Sequence, residues 1–207
     1  MRLEIQTPSG TAWVDLDRPR GAAVLLVLGH GASGGVGTPD LIAVRDRACA
    51  AGVAVARVTQ PYRVAGRRAP APAPRLDEAW LAVIDALRRR RGLCELPLVS
   101  GGRSSGARVA CRTATAAMAS AVVALAFPLH PPGKPEQSRV AELSLPKVPV
   151  LVVQGERDAF GVPPRARGRN LVVISGADHG LKKDTGMLAR VVVEFVTSTP
   201  ARATVAP

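Results

Sequence analysis

The sequence predicts an α/β protein built on one mostly parallel sheet of about eight strands, with helices on both faces. Short continuous apolar runs, typical of strands buried on both sides, alternate along the chain with longer segments of helical periodicity. Two alternating segments around a Pro/Gly turn come first and predict an antiparallel hairpin. The 207 residues suffice for one domain with a substantial core. We expect that domain to span residues 1–198, followed by a disordered tail at 199–207.

The elements follow from local patterns in chain order. Strands are predicted at residues 3–6, 12–16, 22–28, 53–58, 97–100, 121–126, 148–153 and 170–174. Helices are predicted at 40–51, 76–91, 105–117 and 187–197, with a short helix at 136–143 and a short helix or turn at 163–168. The Pro- and Arg-rich stretch 60–75 is predicted to be a loop. Buried strands that alternate with helices form a doubly covered sheet, and no large cap domain is expected.

Composition narrows the possible partners. The net charge is +12, but the arginines are scattered and not interleaved with aromatic residues, so we do not expect nucleic-acid binding. The run Arg88–Arg91 closes a predicted helix, where cations offset the helix dipole. No stretch is long enough to cross a membrane. Three cysteines without metal-ligand spacing indicate a reduced, cytoplasmic protein, and neither a metal nor an organic cofactor is expected.

The most informative stretch is Gly-x-Ser-x-Gly at Gly102, Ser104 and Gly106, between an apolar run and an Ala-rich helical segment. This context is typical of a nucleophile elbow, where a strand turns sharply into a helix and small residues avoid clashes. A second match, centred on Ser33, lies in a glycine-rich loop instead. The simpler interpretation of Ser104 is a helix N-cap, and only partners downstream can overturn it.

Such partners follow two later strands. Asp158 comes after the strand at 148–153, and His179 comes after the strand at 170–174. Because the carboxyl ends of parallel strands meet at one edge of the sheet, we expect both residues to lie near Ser104. Asp178 adjoins His179 in a turn, where neighbours seldom face each other, so Asp158 is the preferred acid and Glu156 the second choice.

With its serine, acid and histidine in this order, the chain resembles the α/β-hydrolase superfamily. More narrowly, it is similar to the dienelactone-hydrolase-like subgroup that includes testis-expressed protein 30 and NSL-complex-subunit-3 type domains. The segments that carry this likeness are Gly-His-Gly-Ala at 29–32, Gly-Gly-Arg-Ser at 101–104, Pro-Leu-His-Pro-Pro-Gly-Lys-Pro at 128–135, Val-Gln-Gly-Glu-Arg-Asp-Ala-Phe-Gly at 153–161 and Ala-Asp-His at 177–179. The likeness covers the chain except its tail. Dienelactone hydrolases themselves use cysteine where this chain has Ser104.

The resemblance and the chemistry imply a role for each residue. Ser104 would attack a carbonyl carbon, with His179 as the base and Asp158 holding the imidazole tautomer. The backbone N–H groups of Ala32 and Ser105 would form the oxyanion hole. The expected function is hydrolysis of a small carboxylic ester or related acyl compound through an acyl-enzyme. The oligomeric state stays open.

Three further residues are candidates for lining the substrate pocket. Arg103 adjoins the nucleophile; such a side chain is often only solvated or ion-paired, but it could instead attract an anionic substrate. His30 would shape the oxyanion loop, and His130 lies at a strand end. As a base, His130 competes poorly with His179 because it precedes the acid in the chain.

Two alternatives come from different functional classes. The loop Gly29–Gly34 matches G-x-G-x-x-G and could indicate a dinucleotide site, but no helix opens at its third glycine. The next strand is followed by no carboxylate for a ribose, so only an NADP-dependent reductase would fit. The second alternative is a binding or scaffold protein with the same fold and no catalysis.

Overall fold

An eight-stranded sheet runs through the centre of the molecule in the order β1-β2-β4-β3-β5-β6-β7-β8. We describe a computed structural model of the chain, covering residues 1–199. The strands are β1 (Arg2–Thr7), β2 (Gly10–Asp17), β3 (Val24–Gly29), β4 (Val53–Thr59), β5 (Leu98–Arg103), β6 (Ala121–Leu125), β7 (Val150–Gly155) and β8 (Arg169–Ile174). The helices are α1 (Pro39–Ala50), α2 (Pro61–Val64), α3 (Ala73–Arg88), α4 (Ser105–Thr113), α5 (Val140–Leu143) and α6 (Thr185–Thr197). The predicted tail spans 199–207, and all of it except residue 199 lies outside the described residues.

The fold class predicted from the sequence is confirmed. β1 and β2 form an antiparallel hairpin, β2 pairs antiparallel with β4, and β3 to β8 are parallel. Helices α3, α4 and α5 pack on one face of the sheet, and α1 and α6 pack on the other. β3, β6 and β7 are therefore buried along their whole length, which explains their unbroken apolar runs.

The stretch 60–75 differs from the predicted loop. It contains the short helix α2, and α3 begins at Ala73 rather than at 76. Both helices carry a proline in their first turn, where the missing N–H would have no intrahelical acceptor. The prolines therefore mark helix starts here, and the prediction of a continuous loop was wrong.

The arginine run lies where α3 ends. The helix stops at Arg88, so Arg89–Arg91 project into solvent, and Arg89 pairs with Asp85 at 2.6 Å. This agrees with a solvated helix end. Two other helices are shorter than predicted: α4 ends at Thr113 rather than at 117, and α5 begins at Val140 rather than at 136. The stretch 163–168, predicted to be a short helix or a turn, contains a turn at 167–168.

β5 extends to Arg103, beyond its predicted end at 100, because the glycine pair continues the ladder. Gly101 and Gly102 align with β3 on one side and with β6 on the other. A Cβ on Gly101 would lie only 2.8 Å from the oxygen of Val123, so the close strand spacing requires a glycine. This extension places Ser104 directly at the carboxyl end of the central strand.

Candidate active site

Ser104 occupies the sharp turn between β5 and α4. Its backbone has φ 53° and ψ −111°, in a region that non-glycine residues rarely adopt. The turn is held by a hydrogen bond from the Ser104 N–H to the oxygen of Leu125 at 2.8 Å. The side chain makes no capping hydrogen bond to α4, so the simpler interpretation as an N-cap is not found. Its hydroxyl is directed elsewhere.

The two glycines flanking Ser104 are required by backbone packing. A Cβ on Gly102 would lie 2.7 Å from the carbonyl carbon of Gly106, and one on Gly106 would lie 2.6 Å from the carbonyl of Gly29. The N–H of Gly106 also donates to the oxygen of His30 at 3.1 Å. The turn is therefore packed directly against the loop that follows β3.

A chain of hydrogen bonds joins Ser104, His179 and Asp158. The Ser104 Oγ lies 2.9 Å from His179 Nε2, and His179 Nδ1 lies 2.8 Å from Asp158 Oδ2. With Nδ1 donating to the carboxylate, Nε2 is free to accept from the serine hydroxyl. The loops that carry Asp158 and His179 approach very closely, since a Cβ on Gly155 would lie 2.5 Å from the oxygen of Asp178.

Gln154 is a further polar residue at this site, which the sequence analysis missed. It is fully buried, and its Nε2 donates to Asp158 Oδ2 at 2.7 Å and to the oxygen of Gly161 at 2.9 Å. The other carboxylate oxygen, Oδ1, accepts from the N–H of Phe160 at 2.8 Å. A glutamine that ends a buried apolar strand must find internal partners, and that signal was readable in the sequence.

Phe160 covers the imidazole of His179. The two ring centroids are 4.2 Å apart and the planes are inclined by 35°. An aromatic face this close stabilises a positive charge on the imidazole. Phe160 lies in the segment 153–161, and its role could not be inferred from the sequence.

The N–H groups of Ala32 and Ser105 lie at the start of the loop after β3 and at the first residue of α4. Within the described part of the chain, neither N–H donates to a protein acceptor. The hydroxyl of Tyr62 donates to the oxygen of Ala32 at 2.9 Å and ties this loop to α2. The structure thus leaves both amides available for an external oxygen.

His30 is bonded within the protein, as expected for a residue that shapes the loop after β3. Its side chain is buried, with Nδ1 donating to the oxygen of Gly31 at 2.7 Å and Nε2 accepting from the N–H of Gln60 at 3.1 Å. Burial lowers the pKa of the imidazole, which favours this neutral form. Because both ring nitrogens are used within the protein, His30 shapes the loop and has no polar atom left for substrate.

Arg103 is an ion-paired side chain, the first of the two roles considered for it. Its Nε lies 3.1 Å from Asp40 Oδ2, and its Nη2 donates to the backbone oxygen of His179 at 2.9 Å. Only 16% of the side chain is exposed. The guanidinium is thus held between Asp40 and the loop of His179.

His130 lies behind the acid loop. Its side chain is half-buried, with Nδ1 2.9 Å from the oxygen of Pro131, and its backbone N–H donates to the oxygen of Phe160 at 3.1 Å. Among the described residues it has no hydrogen bond to Ser104 or Asp158. His130 therefore supports the loop of the acid and does not replace His179.

The two other candidate acids are turned away from the imidazole. The exposed Glu156 accepts from the N–H of Gly176 at 2.6 Å and from the hydroxyl of Ser175. These bonds lower the pKa of the Glu156 carboxyl. Asp178 Oδ1 accepts from the N–H of Gly180 at 2.8 Å within its own turn. Of these three carboxylates, Asp158 is the one that contacts the imidazole of His179.

The dinucleotide alternative fails on two structural points. The helix after Gly29–Gly34 begins only at Pro39, so no helix N-terminus follows the third glycine. Arg57, which would have to recognise a 2′-phosphate, is buried, with Nη1 bonded to the oxygen of Val36 and Nη2 paired with Asp17. No cation remains for the nucleotide at this position.

Two negative findings concern the described residues, 1–199. Residues 1–199 contain no helix of the length and hydropathy needed to cross a membrane. In the same part of the chain, no group of three or more histidine, cysteine, aspartate or glutamate side chains is arranged to hold a metal ion.

Comparison with known proteins places these features in context. The family profile described as alpha/beta hydrolase domain matches residues 22–191. The fold is similar to that of an alpha-beta serine hydrolase homologue from Coxiella burnetii, with 20% identity, coverage of 95% of this chain and 97% of that one, and a TM-score of 0.76. It is also similar to dienelactone hydrolase from Anabaena variabilis, with 18% identity, coverage of 95% and 96%, and a TM-score of 0.77.

A third similar structure is an α/β serine hydrolase without lid from Xanthomonas campestris, with 21% identity, coverage of 97% and 96%, and a TM-score of 0.71. At these identities the likeness shows the fold alone. No curated protein sequence matches the chain. The narrower likeness to testis-expressed protein 30 and NSL-complex-subunit-3 type domains stays a prediction.

Proposed function

Because the chain belongs to the α/β-hydrolase family, we propose that it is a serine hydrolase that cleaves a small carboxylic ester or related acyl compound through an acyl-enzyme. One observation carries the proposal: the hydrogen-bond chain from the Ser104 hydroxyl through His179 to Asp158. A lone serine hydroxyl is a weak nucleophile at neutral pH and needs an adjacent base. The pairing of these side chains supplies one.

In the first half of the reaction, His179 Nε2 takes the hydroxyl proton as Ser104 Oγ attacks the carbonyl carbon. Asp158 holds Nδ1–H and stabilises the imidazolium that forms, with the ring of Phe160 alongside. The imidazolium then gives its proton to the leaving alcohol, and an acyl-Ser104 ester remains. In the second half, His179 takes a proton from a water whose oxygen attacks the acyl carbon; the bond to Ser104 Oγ then breaks, the carboxylic acid leaves, and the imidazolium returns its proton to Oγ.

The negative charge that develops on the carbonyl oxygen needs two donors. The N–H groups of Ala32 and Ser105 are the candidates, since neither is used elsewhere in the described chain. Removal of one such donor typically lowers kcat by about 10²–10³. Ser105 is the first residue of α4, whose N-terminal dipole also favours an anion.

We also propose a reducing, cytoplasmic location. Cys49, Cys94 and Cys111 are all free thiols, and Cys94 is exposed. Burial raises the pKa of the Cys111 thiol to about 12, which makes it inert. An exposed free thiol is typical of proteins kept in a reducing compartment.

The test of the proposed reaction is covalent labelling with a fluorophosphonate, followed by peptide mass spectrometry. We expect modification of Ser104 in the wild type and its loss in Ser104→Ala and His179→Ala. Ser33→Ala is the matched control, because Ser33 also stands in a Gly-x-Ser-x-Gly string but outside the hydrogen-bond chain. It should be labelled like the wild type.

A panel of p-nitrophenyl esters with acyl chains of increasing length would then define the substrate class. We expect short acyl groups to be preferred. If folded wild-type protein takes up no fluorophosphonate at Ser104, the hydrolase proposal is refuted and a non-catalytic binding role becomes the leading alternative.

A further inference from the structure

We propose that Arg103 is a positioning residue, which clamps the loop of the base His179 onto the turn of the nucleophile and is itself fixed by Asp40. This inference rests on the proposed hydrolase function and extends it. It replaces the expectation that Arg103 recognises an anionic substrate. Arg103 acts through its neighbours and touches no reacting atom.

The anchor of the clamp is Asp40, in the first turn of α1. Its side chain is 1% exposed, and its oxygens make no hydrogen bond within the described chain. An ionised carboxylate so deeply buried requires a nearby cation. The Nε of Arg103, 3.1 Å away, provides it. Arg103 therefore cannot turn outward without leaving Asp40 uncompensated.

The other end of the clamp is the backbone of the base. Nη2 of Arg103 donates to the oxygen of His179 at 2.9 Å. The two residues are 76 positions apart in sequence, and their strands are separated in the sheet by β6 and β7. This hydrogen bond thus joins the nucleophile loop to the base loop directly.

The guanidinium also contacts the loop after β3. A Cβ on Gly31 would lie 3.1 Å from Nη1 of Arg103, so the glycine leaves the space that this group fills. One planar cation therefore touches α1, the base loop and the loop that carries Ala32. Lysine could not take its place, because a single ammonium cannot reach both Asp40 and the His179 carbonyl in fixed directions.

The clamp sets the distance between nucleophile and base. The Ser104 Oγ–His179 Nε2 separation is 2.9 Å, and a misplacement of about 1 Å can lower a rate by about 10²-fold. β8, which leads to His179, is the edge strand of the sheet and is only partly buried. A tie to the central strand is thus needed where the base would otherwise be least constrained.

Arg112 provides a matched control. Its side chain is 15% exposed, against 16% for Arg103, and it forms ion pairs with Asp77 and Glu142 away from the site. Arg103→Met and Arg112→Met therefore remove ion-paired arginines of similar burial. Both substitutions should lower the midpoint temperature of thermal unfolding. Only Arg103→Met should lower kcat.

The first measurement is steady-state hydrolysis of p-nitrophenyl acetate. For Arg103→Met we expect kcat to fall about 10- to 100-fold with KM within about twofold of wild type. Arg112→Met should keep the wild-type kcat. The proposal is overturned if Arg103→Met retains kcat, or if the Arg112 variant loses as much.

Two further variants address a failure of Arg103→Met to fold. Asp40→Asn keeps the shape of the anchor and removes its charge, so we expect a smaller loss of kcat at unchanged KM. Arg103→Ala should regain activity on addition of millimolar guanidinium, whereas Arg112→Ala should not respond. Absence of rescue together with wild-type kcat in Asp40→Asn would overturn the clamp.

The second measurement does not depend on catalysis. Deuterium uptake of the segment 176–183 should increase in Arg103→Met and stay at the wild-type level in Arg112→Met, because only the first loses the tie to the base loop. Equal uptake in both variants would refute the clamp. If wild-type Ser104 takes up no fluorophosphonate, the hydrolase proposal fails, while the exchange experiment still decides whether Arg103 holds this loop.

Discussion

Alanine in place of Gly106 would drive a methyl group into the backbone that leads to the oxyanion loop. The new Cβ would lie 2.6 Å from the carbonyl carbon and oxygen of Gly29 and 2.9 Å from the oxygen of His30. Ordinary Cβ contacts begin at 3.4 Å, so that backbone must retreat by about 0.8 Å. A main chain cannot rotate aside as the tip of a side chain can.

This displacement separates the expected effects on rate and stability. If the loop carries Ala32 with it, an N–H to oxyanion distance of about 2.9 Å becomes about 3.7 Å, beyond hydrogen-bond range. Loss of that donor lowers kcat by about 10²–10³. Overpacking lowers the free energy of unfolding by about 1–3 kcal/mol, and the higher helix propensity of alanine offsets at most about 1 kcal/mol of this. The rate is therefore the more sensitive quantity.

The assay is kcat for p-nitrophenyl acetate, with urea denaturation of the same preparations. Gly35→Ala is the matched control: it lies in the same loop region, and a Cβ there meets nothing within 4 Å. It should keep both activity and stability. A folded Gly106→Ala protein with kcat within about threefold of wild type would refute the reasoning from backbone contact.

Three more predictions test single contacts. Gln154→Leu removes one donor to Asp158 and leaves the partly buried oxygen of Gly161 unpaired. We therefore expect the free energy of unfolding, measured by urea denaturation, to fall by about 2–4 kcal/mol, together with a lower kcat. Unchanged stability would contradict this prediction. Tyr62→Phe removes the donor to the oxygen of Ala32 and should cost about 1 kcal/mol and slow fluorophosphonate labelling, whereas an unchanged labelling rate would show that the loop does not need this bond. Burial alone would raise the pKa of Glu142, but its two arginine partners lower it overall, so its ionised form stabilises the native state above the unfolded pKa of about 4.3. Wild type should therefore exceed Glu142→Gln in free energy of unfolding near pH 7, the difference should shrink below about pH 4, and a difference that is independent of pH would contradict the prediction.

The fold could be predicted because its signals are local. Continuous apolar runs identified the buried strands, and the Pro/Gly turn identified the hairpin. Prolines were the ambiguous signal: between 60 and 75 they were interpreted as loop residues, whereas Pro61 and Pro74 stand in the first turns of helices. The same residue type serves both purposes, and packing against the sheet decides between them.

The site was predictable only as far as chain order and strand ends allow. Ser104, Asp158 and His179 were named together because parallel strands bring their carboxyl ends to one edge. The orientations of Arg103 and His30 were not accessible, because they depend on partners brought near by folding. Nothing in the local sequence links Arg103 to Asp40, and an arginine beside a nucleophile fits a substrate contact equally well.

The proposed base, His179, lies in the loop after β8, the least buried of the parallel strands. β8 has one neighbour, β7, and five of its six residues are only partly buried or exposed, whereas β3, β6 and β7 are buried along their whole length. Edges of sheets open locally at lower free energy than their centres. Activity should therefore be lost at low denaturant concentrations, while most of the molecule is still folded. Loss of activity would then measure local opening of this edge of the sheet.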